Sequence, residues 1–394
     1  MHLLVLGAWP ELANQLVGLP ARVSLLQAPG AANAREAAWA HHYVEVDYTG
    51  LDQGMRAAAE IHAEDPVDLV IGPREASLAV VGEIARKLGV PSMPGPVESL
   101  GADKAEVRRL LNGGGCHQVP YRVCLRPDDL TAFVSEHGFP AIVKPANGFA
   151  SFGVHTVTGP DDVDPAWAHA GDVGFGAVLA EKLLTGQEYS VETLSVDGRH
   201  EVVAVTEKLT TGAPYFVETG HIVPARLDTP ALTAVGQEAL RALTAIGHRL
   251  GPSHVEVIRT EDGPAVIEIN RRLGGDRIWE LVQLATGRDM AREALLHAAG
   301  VAFEPAKVPP NAAVIRYLYS TVDARSVTTL PHNAAAGVPG LVRVEFSVAG
   351  GARVRPVLSS KGRLGYVLVH GVDSERAVQA AAQAYDAVTA ALLR

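Results

Sequence analysis

Residues 254–276 read HVEVIRTEDGPAVIEINRRLGGD, and this stretch decides how the rest of the chain is to be read. Residue character alternates over His254-Val255-Glu256-Val257 and again over Ile267-Glu268-Ile269-Asn270, with Glu261-Asp262-Gly263 between them as a turn signal. The pattern predicts a β-hairpin whose register depends on its loop. A two-residue Asp-Gly loop would pair Glu261 with Pro264 and put Glu256 and Glu268 on opposite faces, because side chains alternate with period two. A three-residue loop, with Thr260 opposite Pro264 and Gly263 at positive φ, sets Glu256 directly across from Glu268. Asn270 and Arg272 then continue along that face, while Val255, Val257, Ile267 and Ile269 point to the core.

Two carboxylates facing each other are unfavourable unless a cation lies between them. Mg²⁺ suits the arrangement, with Mn²⁺ as the substitute, since it takes hard oxygen ligands and is usually held by one or two carboxylates plus substrate phosphates. A nucleotide is therefore implied. An isolated E…ExN pattern is as well explained by a solvent-facing hairpin with unrelated acidic residues. Arg272 followed by Gly274-Gly275 favours the nucleotide, because it places a basic side chain and bare backbone beside the expected phosphates.

The hairpin ending in EINRRLGGD resembles the C-terminal lobe of an ATP-grasp enzyme. RLGGD together with the upstream ETGHIVP is similar to the L-amino-acid ligase branch, which joins a carboxylate to an amine. The resemblance extends over the chain, with its specific motifs between residues 104 and 276. It implies metal roles for Glu256, Glu268 and Asn270, and a phosphate or acyl-phosphate contact for Arg272. The family commonly has proline where this chain has Arg271, a departure in the backbone leading into Arg272.

The chain of 394 residues is long enough for two or three domains with a well-buried core, and 47% hydrophobic with 20% charged residues is ordinary globular composition. A net charge of −10 without any Lys/Arg block argues against a nucleic-acid partner. Cys116 and Cys124 are too few for a disulfide framework or a zinc site, which fits a reducing compartment. MHLLVLGAWP lacks a basic leader region and reads as a first strand, and no segment approaches the ~18 apolar residues of a membrane span. A cytoplasmic protein without a membrane partner is expected, its oligomeric state open, a homodimer included.

Residues 1–97 alternate strand-like LLVLG, RVSLLQ, HYVEV and DLVIGP with helix-like stretches, the pattern of βαβ units in a parallel sheet. GAWPEL lacks the second and third glycines of a dinucleotide fingerprint. Gly72-Pro73-Arg74-Glu75 ends a strand where open sheets bind ligands, although a plain strand-to-helix turn is the favoured reading. Asp103 is expected to cap the next helix, with Glu106 as its capping-box partner.

The resemblance supplies the remaining roles. Lys104 and Lys144 match phosphate lysines, and the loop holding Gly148, Ser151 and Gly153 looks like the glycine-rich lid, with Phe149 and Ala150 where a small Ser-Gly pair is common. Glu181 and Leu183 fall at the adenine hinge and Glu188 at the ribose position, an acceptor that suits a diol. Glu192 reads as a strand-surface residue. Glu218 and His221 lie near the amino-acid substrate, Glu218 toward the amine and His221 near the new bond.

The expected architecture is α/β with α+β character: an ATP-grasp fold with a Rossmann-like preliminary domain (1–97), an N-lobe with the lid (98–194), a C-lobe with the metal hairpin (195–311) and a C-terminal subdomain (312–394). The expected activity is ATP-dependent ligation of a small carboxylate, such as an amino acid, to an amine, giving a dipeptide or dipeptide-like amide. It would proceed through an acyl phosphate and release ADP and phosphate. The rivals are another ATP-grasp ligase, such as a phosphoribosylamine–glycine ligase, and a non-catalytic nucleotide-binding protein.

Overall fold

The computed structural model describes the chain except residues 32, 96–102, 147–152, 174–176, 214, 306–310, 323–325, 328 and 393–394. Its first unit is a parallel sheet of β1 (His2–Leu6), β2 (Arg22–Gln27), β3 (Tyr43–Glu45), β4 (Leu69–Ile71) and β5 (Ser92–Met93), in the order β3-β2-β1-β4-β5. Helices α1 (Pro10–Leu16), α2 (Ala34–Trp39), α3 (Leu51–Glu64) and α4 (Glu75–Leu88) connect the strands. The unbroken apolar run of β1 is buried along its length, as a strand covered on both faces requires.

The second unit runs through α5 (Lys104–Gly113), β6 (Tyr121–Cys124), α6 (Pro127–His137), β7 (Ala141–Pro145), β8 (His155–Val157), α7 (Val163–Val173) and β9 (Val178–Lys182). Its strands form an antiparallel sheet in the order β6-β9-β7-β8. Asp103 caps α5 as expected, accepting from the Ala105 and Glu106 amides at 2.9 and 3.1 Å. The expected capping box does not form, because the Glu106 side chain pairs with Arg109 at 2.6 and 2.7 Å instead. Both cysteines are buried, and burial pushes each thiol up to about 11.

The third unit is an eight-stranded antiparallel sheet. Its elements are β10 (Gln187–Val196), β11 (Arg199–Thr210), β12 (Glu218–Val223), α8 (Thr229–Ala245), β13 (Gly251–Thr260), β14 (Gly263–Asn270), α9 (Ile278–Thr286), α10 (Met290–Ala298), β15 (Ala312–Leu318), β16 (Leu341–Phe346), β17 (Gly365–Gly371) and α11 (Ser374–Leu392). The order is β14-β13-β10-β11-β12-β15-β17-β16. Two expected boundaries therefore do not follow the sheets. A break at 194/195 would cut β10, which pairs with β11 and β13, and a break at 311/312 falls within one continuous sheet, since β12 pairs with β15. Each strand is legible as a local run, but its neighbours are set by contacts remote in sequence.

One face of this sheet packs Val191, Val205, Val255, Val257 and Val266 against Val235, Ala239 and Leu243 of α8. Another core joins Leu3, Val5 and Ile71 of the first unit to Leu281, Leu295 and Ile315 of the third. Glu75, the first residue of α4, also reaches Arg272, just beyond the end of β14, at 2.6 Å.

The hairpin delivers the expected opposition by a different route. Thr260 pairs with Gly263 across a two-residue Glu261-Asp262 turn, which alone would leave Glu256 opposite Ile267. A register shift between Glu256 and Val257 restores Glu256 to a position across from Glu268. Gly263 has the expected positive φ of 124°, and Val266 takes the core position expected for Ile267.

Candidate active site

Side chains directly opposite in an antiparallel sheet share a face, so the pairings build the site row by row. Glu256 faces Glu268 on β14 and Ser190 on β10, His254 faces Asn270 and Glu192, and Lys208 on β11 faces His221 on β12. The whole expected metal set and His221 thus lie on one polar face.

Glu256 and Glu268 do not confront each other bare. Lys104 Nζ donates to Glu268 Oε1 at 3.1 Å, and Lys208 Nζ lies 3.4 Å from Glu256 Oε1. His254 bridges Glu256 to Glu192, with Nε2 at 3.3 Å from the first and Nδ1 at 2.9 Å from the second. Burial pulls the His254 pKa down, but the two carboxylates outweigh it and hold the ring at about 9. Burial likewise raises the Glu256 pKa, and Lys208 and His254 overcome this and keep it well below the usual carboxylate range. Glu192, expected on the strand surface, is buried at 1% exposure as the anchor of His254.

These residues fit a hard divalent cation. Among the described residues no three His, Cys, Asp or Glu side chains are grouped as a metal site. Two opposed carboxylates and an amide oxygen are a partial oxygen set, of the kind that phosphates and water complete. Glu268 is 40% exposed on its side chain, leaving it open to a ligand from the cleft.

On the small sheet, Glu181 is buried between Lys144 Nζ at 2.5 Å and Arg108 Nε at 2.6 Å. Burial raises its pKa, yet the two cations prevail and bring it to about 2. Its carboxylate therefore fixes Lys144 and is not presented to a base. The Leu183 amide donates to the Pro140 carbonyl at 3.2 Å, so that amide is not a vacant hinge donor. Gly148 and Ser151 lie outside the described residues, as do Phe149 and Ala150, while Gly153 sits at a φ of 74°. Glu188 is paired with Lys208 close to Glu256. Burial, with Glu256 added, raises its pKa against the pull of Lys208.

Arg272 reaches the first unit, where its Nε donates to Glu75 Oε2 at 2.6 Å, and its Nη2 lies 3.4 Å from Asn270 Oδ1. The Gly72–Glu75 turn is the expected strand-to-helix junction, and it also contributes a side chain to the site. Arg271 donates from Nη1 to the Gly95 carbonyl at 2.9 Å, so the residue standing where proline is common ties the hairpin to the first unit.

Glu218 is half-buried, 3.9 Å from Lys208, and accepts from Ser360 Oγ at 3.1 Å. His221 is 1% exposed, and its Nε2 lies 3.4 Å from Asp276 Oδ2. The ring, expected near the new bond, is buried beneath Asp276, which separates it from the cleft. Asp276 accepts both Arg363 Nη atoms at 2.6 and 2.7 Å. Burial raises its pKa, and these bonds with His221 lower it well below the usual range. Beyond Asp276 opens a cavity of about 330 Å³.

Sequence reasoning missed Lys208, Asp276, Arg363 and Arg108. A signal existed for the first: Glu188-x-Ser190-x-Glu192 and Thr206-x-Lys208 show the same period-two polarity as the hairpin. Arg108 and Arg363 lie outside every local motif and meet their partners only through tertiary contact.

Residues 137–280 match the ATP-grasp domain family, and residues 331–392 match L-amino acid ligase C-terminal domain 2. The chain is 28% identical over 333 residues to the uncharacterized protein y4rH of Sinorhizobium fredii, covering 82% of this chain and 68% of that one. It is 24% identical over 253 residues to an L-arginine-specific L-amino acid ligase of Bacillus subtilis, covering 62% of this chain and 61% of the relative. The crystal structure of an L-amino acid ligase from Bacillus licheniformis has the same fold, with a TM-score of 0.82 at 22% identity over 98% of this chain and 97% of that one. No described helix is long and apolar enough to cross a membrane.

Proposed function

We propose that this chain, a member of the ATP-grasp superfamily carrying an L-amino acid ligase C-terminal domain, joins the carboxylate of an amino acid to an amine at the expense of ATP. The observation that carries the reading is the opposition of Glu256 and Glu268 on the sheet face that also bears Lys208 and His221. A phosphate-directed oxygen set and an amino-acid cleft would then occupy one face of the sheet, in neighbouring rows of side chains.

A carboxylate is a poor acyl donor because its leaving group would be oxide. Phosphoryl transfer from ATP to that carboxylate gives an acyl phosphate, which the amine attacks with loss of phosphate. Mg²⁺, or Mn²⁺ in its place, bound by Glu256, Glu268 and Asn270 would neutralise phosphate charge. Lys104 and Lys144 contact phosphate oxygens, the latter held in direction by Glu181 and Arg108. Glu188 accepts from the ribose hydroxyls, and the backbone from Glu181 to Leu183 borders the adenine. Arg272 exchanges Glu75 for the transferring group or the oxyanion that follows. Glu218 receives the substrate amine, and the loop with Gly148, Ser151 and Gly153 closes over the phosphates to exclude water. Residues 1–97 wall the cleft, 98–194 carry the lid and 195–311 the metal hairpin, with 312–394 as the outer wall of the amino-acid side. The protein acts in the cytoplasm on small molecules, without nucleic acid or membrane.

The test is the nucleotide product. ADP and phosphate are expected in step with amide formation, and hydroxylamine should trap a hydroxamate when the amine is omitted. Stoichiometric AMP would overturn the mechanism, and ADP formation without a carboxylate substrate would favour idle hydrolysis. Glu218→Ala is expected to raise the amine KM by about tenfold, the loss of one charged contact. ATP affinity by calorimetry should stay within about twofold; an equal loss of ATP affinity would remove Glu218 from the amine site.

A further inference from the structure

Glu256 and Glu268 face each other but are held in different ways. The Glu268 side chain is 40% exposed, with Lys104 beside it, whereas that of Glu256 is 17% exposed. Both cationic neighbours of Glu256 approach the same oxygen: His254 Nε2 lies 3.3 Å and Lys208 Nζ 3.4 Å from Oε1. Oε2 is then the oxygen left to face a ligand. His254 is itself fixed from behind, because its Nδ1 lies 2.9 and 3.1 Å from the two Glu192 oxygens. Glu192 accepts in turn from Ser190 Oγ at 2.7 Å and lies 3.4 Å from Thr206 Oγ1. Imidazole is a rigid plane, so the bond that fixes Nδ1 also sets where Nε2 points. The chain leaving the hairpin closes over the pair: a methyl group at Gly274 would fall 2.9 Å from His254 Nδ1 and 3.1 Å from Glu192 Oε2. A buried ionic chain of this kind is weak evidence for stability, which leaves orientation as its use.

We infer that His254 is a positioning residue for the metal ligand Glu256: anchored on Glu192, it holds Oε1 so that Oε2 is turned to the cation. The inference rests on the metal reading of the hairpin above. A carboxylate already held in one orientation loses less freedom when the cation arrives, so the hydrogen bond from Nε2 strengthens cation binding without touching nucleotide or amino acid. The solvated Glu268 adjusts to the cation that Glu256 has placed. Loss of such a bond behind a coordinating group weakens metal binding by about 10–100-fold.

The test is calorimetry on the full chain with a non-hydrolysable ATP analogue, once with saturating Mn²⁺ and once in EDTA, which needs no turnover. The ratio of the two affinities measures the coupling between cation and nucleotide at the site. Asparagine carries its amide nitrogen near the place of Nδ1 and glutamine near that of Nε2, and neither is charged. His254→Asn keeps the donor to Glu192 and loses the one to Glu256, so the ratio should fall by about tenfold or more. His254→Gln keeps the donor to Glu256, and its ratio should stay within about threefold of the parent, with the affinity in EDTA within about twofold for both variants. A purely structural role, or one of charge alone, would move the two variants alike. Equal losses, no loss in either, or a loss in His254→Gln alone overturns the inference. Should His254→Asn fail to fold, Gly274→Ala takes its place, since it keeps every donor and charge while crowding Nδ1. The same fall is expected there, and an unmoved ratio overturns the inference. Glu268→Gln separates the two readings: an unmoved ratio in that variant sinks the metal reading itself, whereas a fallen ratio beside an unmoved His254→Asn strikes only the role of His254.

Discussion

Glu268→Gln is expected to abolish ligation while the protein stays folded, whereas Glu256→Ala should lower stability by about 3–5 kcal/mol as well, although the two carboxylates face each other across one pair of strands. The difference lies in their surroundings. Glu268 is 40% exposed and pairs with Lys104, whose side chain is 23% exposed, so its charge is solvated and its ion pair is worth at most about 1 kcal/mol. Glu256 is the counter-ion of buried Lys208 and of the His254 imidazolium. Removing it leaves two cations beside each other with little water. Relief of carboxylate repulsion would make Glu268→Gln stabilising, but the ammonium groups already flank the pair, and no gain is expected. Urea unfolding at constant m-value gives the stabilities, and ADP release gives the activity. Near-normal turnover by Glu268→Gln, or an unchanged midpoint for Glu256→Ala, would contradict this account.

The hairpin shows what one sequence can convey. Alternation placed Glu256 opposite Glu268, yet for a mistaken reason, because a bulge beside Val257 leaves no local signature and here compensated for a shorter turn. Asp103 was legible as a cap because a cap is a contact within one turn of chain. The βαβ pattern of the first unit was legible for the same reason, as each period is short. Lys208 was not, since its meaning comes from β11 lying between β10 and β12, an order that only the folded sheet supplies. Glu181 shows the converse. The sequence offers it as a hinge residue, but burial between Lys144 and Arg108 makes its side chain an anchor for a lysine. Position along a motif was available from sequence; the direction and solvation of each side chain were not.

Lys208→Met carries the other large effect, a predicted loss of about 3–5 kcal/mol together with nearly all activity. Lys208 is 4% exposed, paired with Glu188 and lying 3.4 Å from Glu256 and 3.9 Å from Glu218. Burial alone would lower its pKa, but the three carboxylates outweigh it and drive the pKa upward, so the side chain is an ammonium at any working pH. Methionine matches the length of the stem and removes the charge, which leaves Glu188, Glu256 and Glu218 to repel one another in a poorly solvated pocket. His254 can compensate Glu256 alone, since its other nitrogen is engaged by Glu192. The double variant Lys208→Met with Glu188→Gln should therefore recover about 1–2 kcal/mol, a coupling expected only of residues in one network. It should not recover turnover, because this ammonium also joins the proposed ribose and metal carboxylates to Glu218, the proposed amine site. A single variant as stable as the parent would mean that the three carboxylates are solvated in solution. Additive losses in the double variant would mean that Glu188 and Lys208 do not share a network.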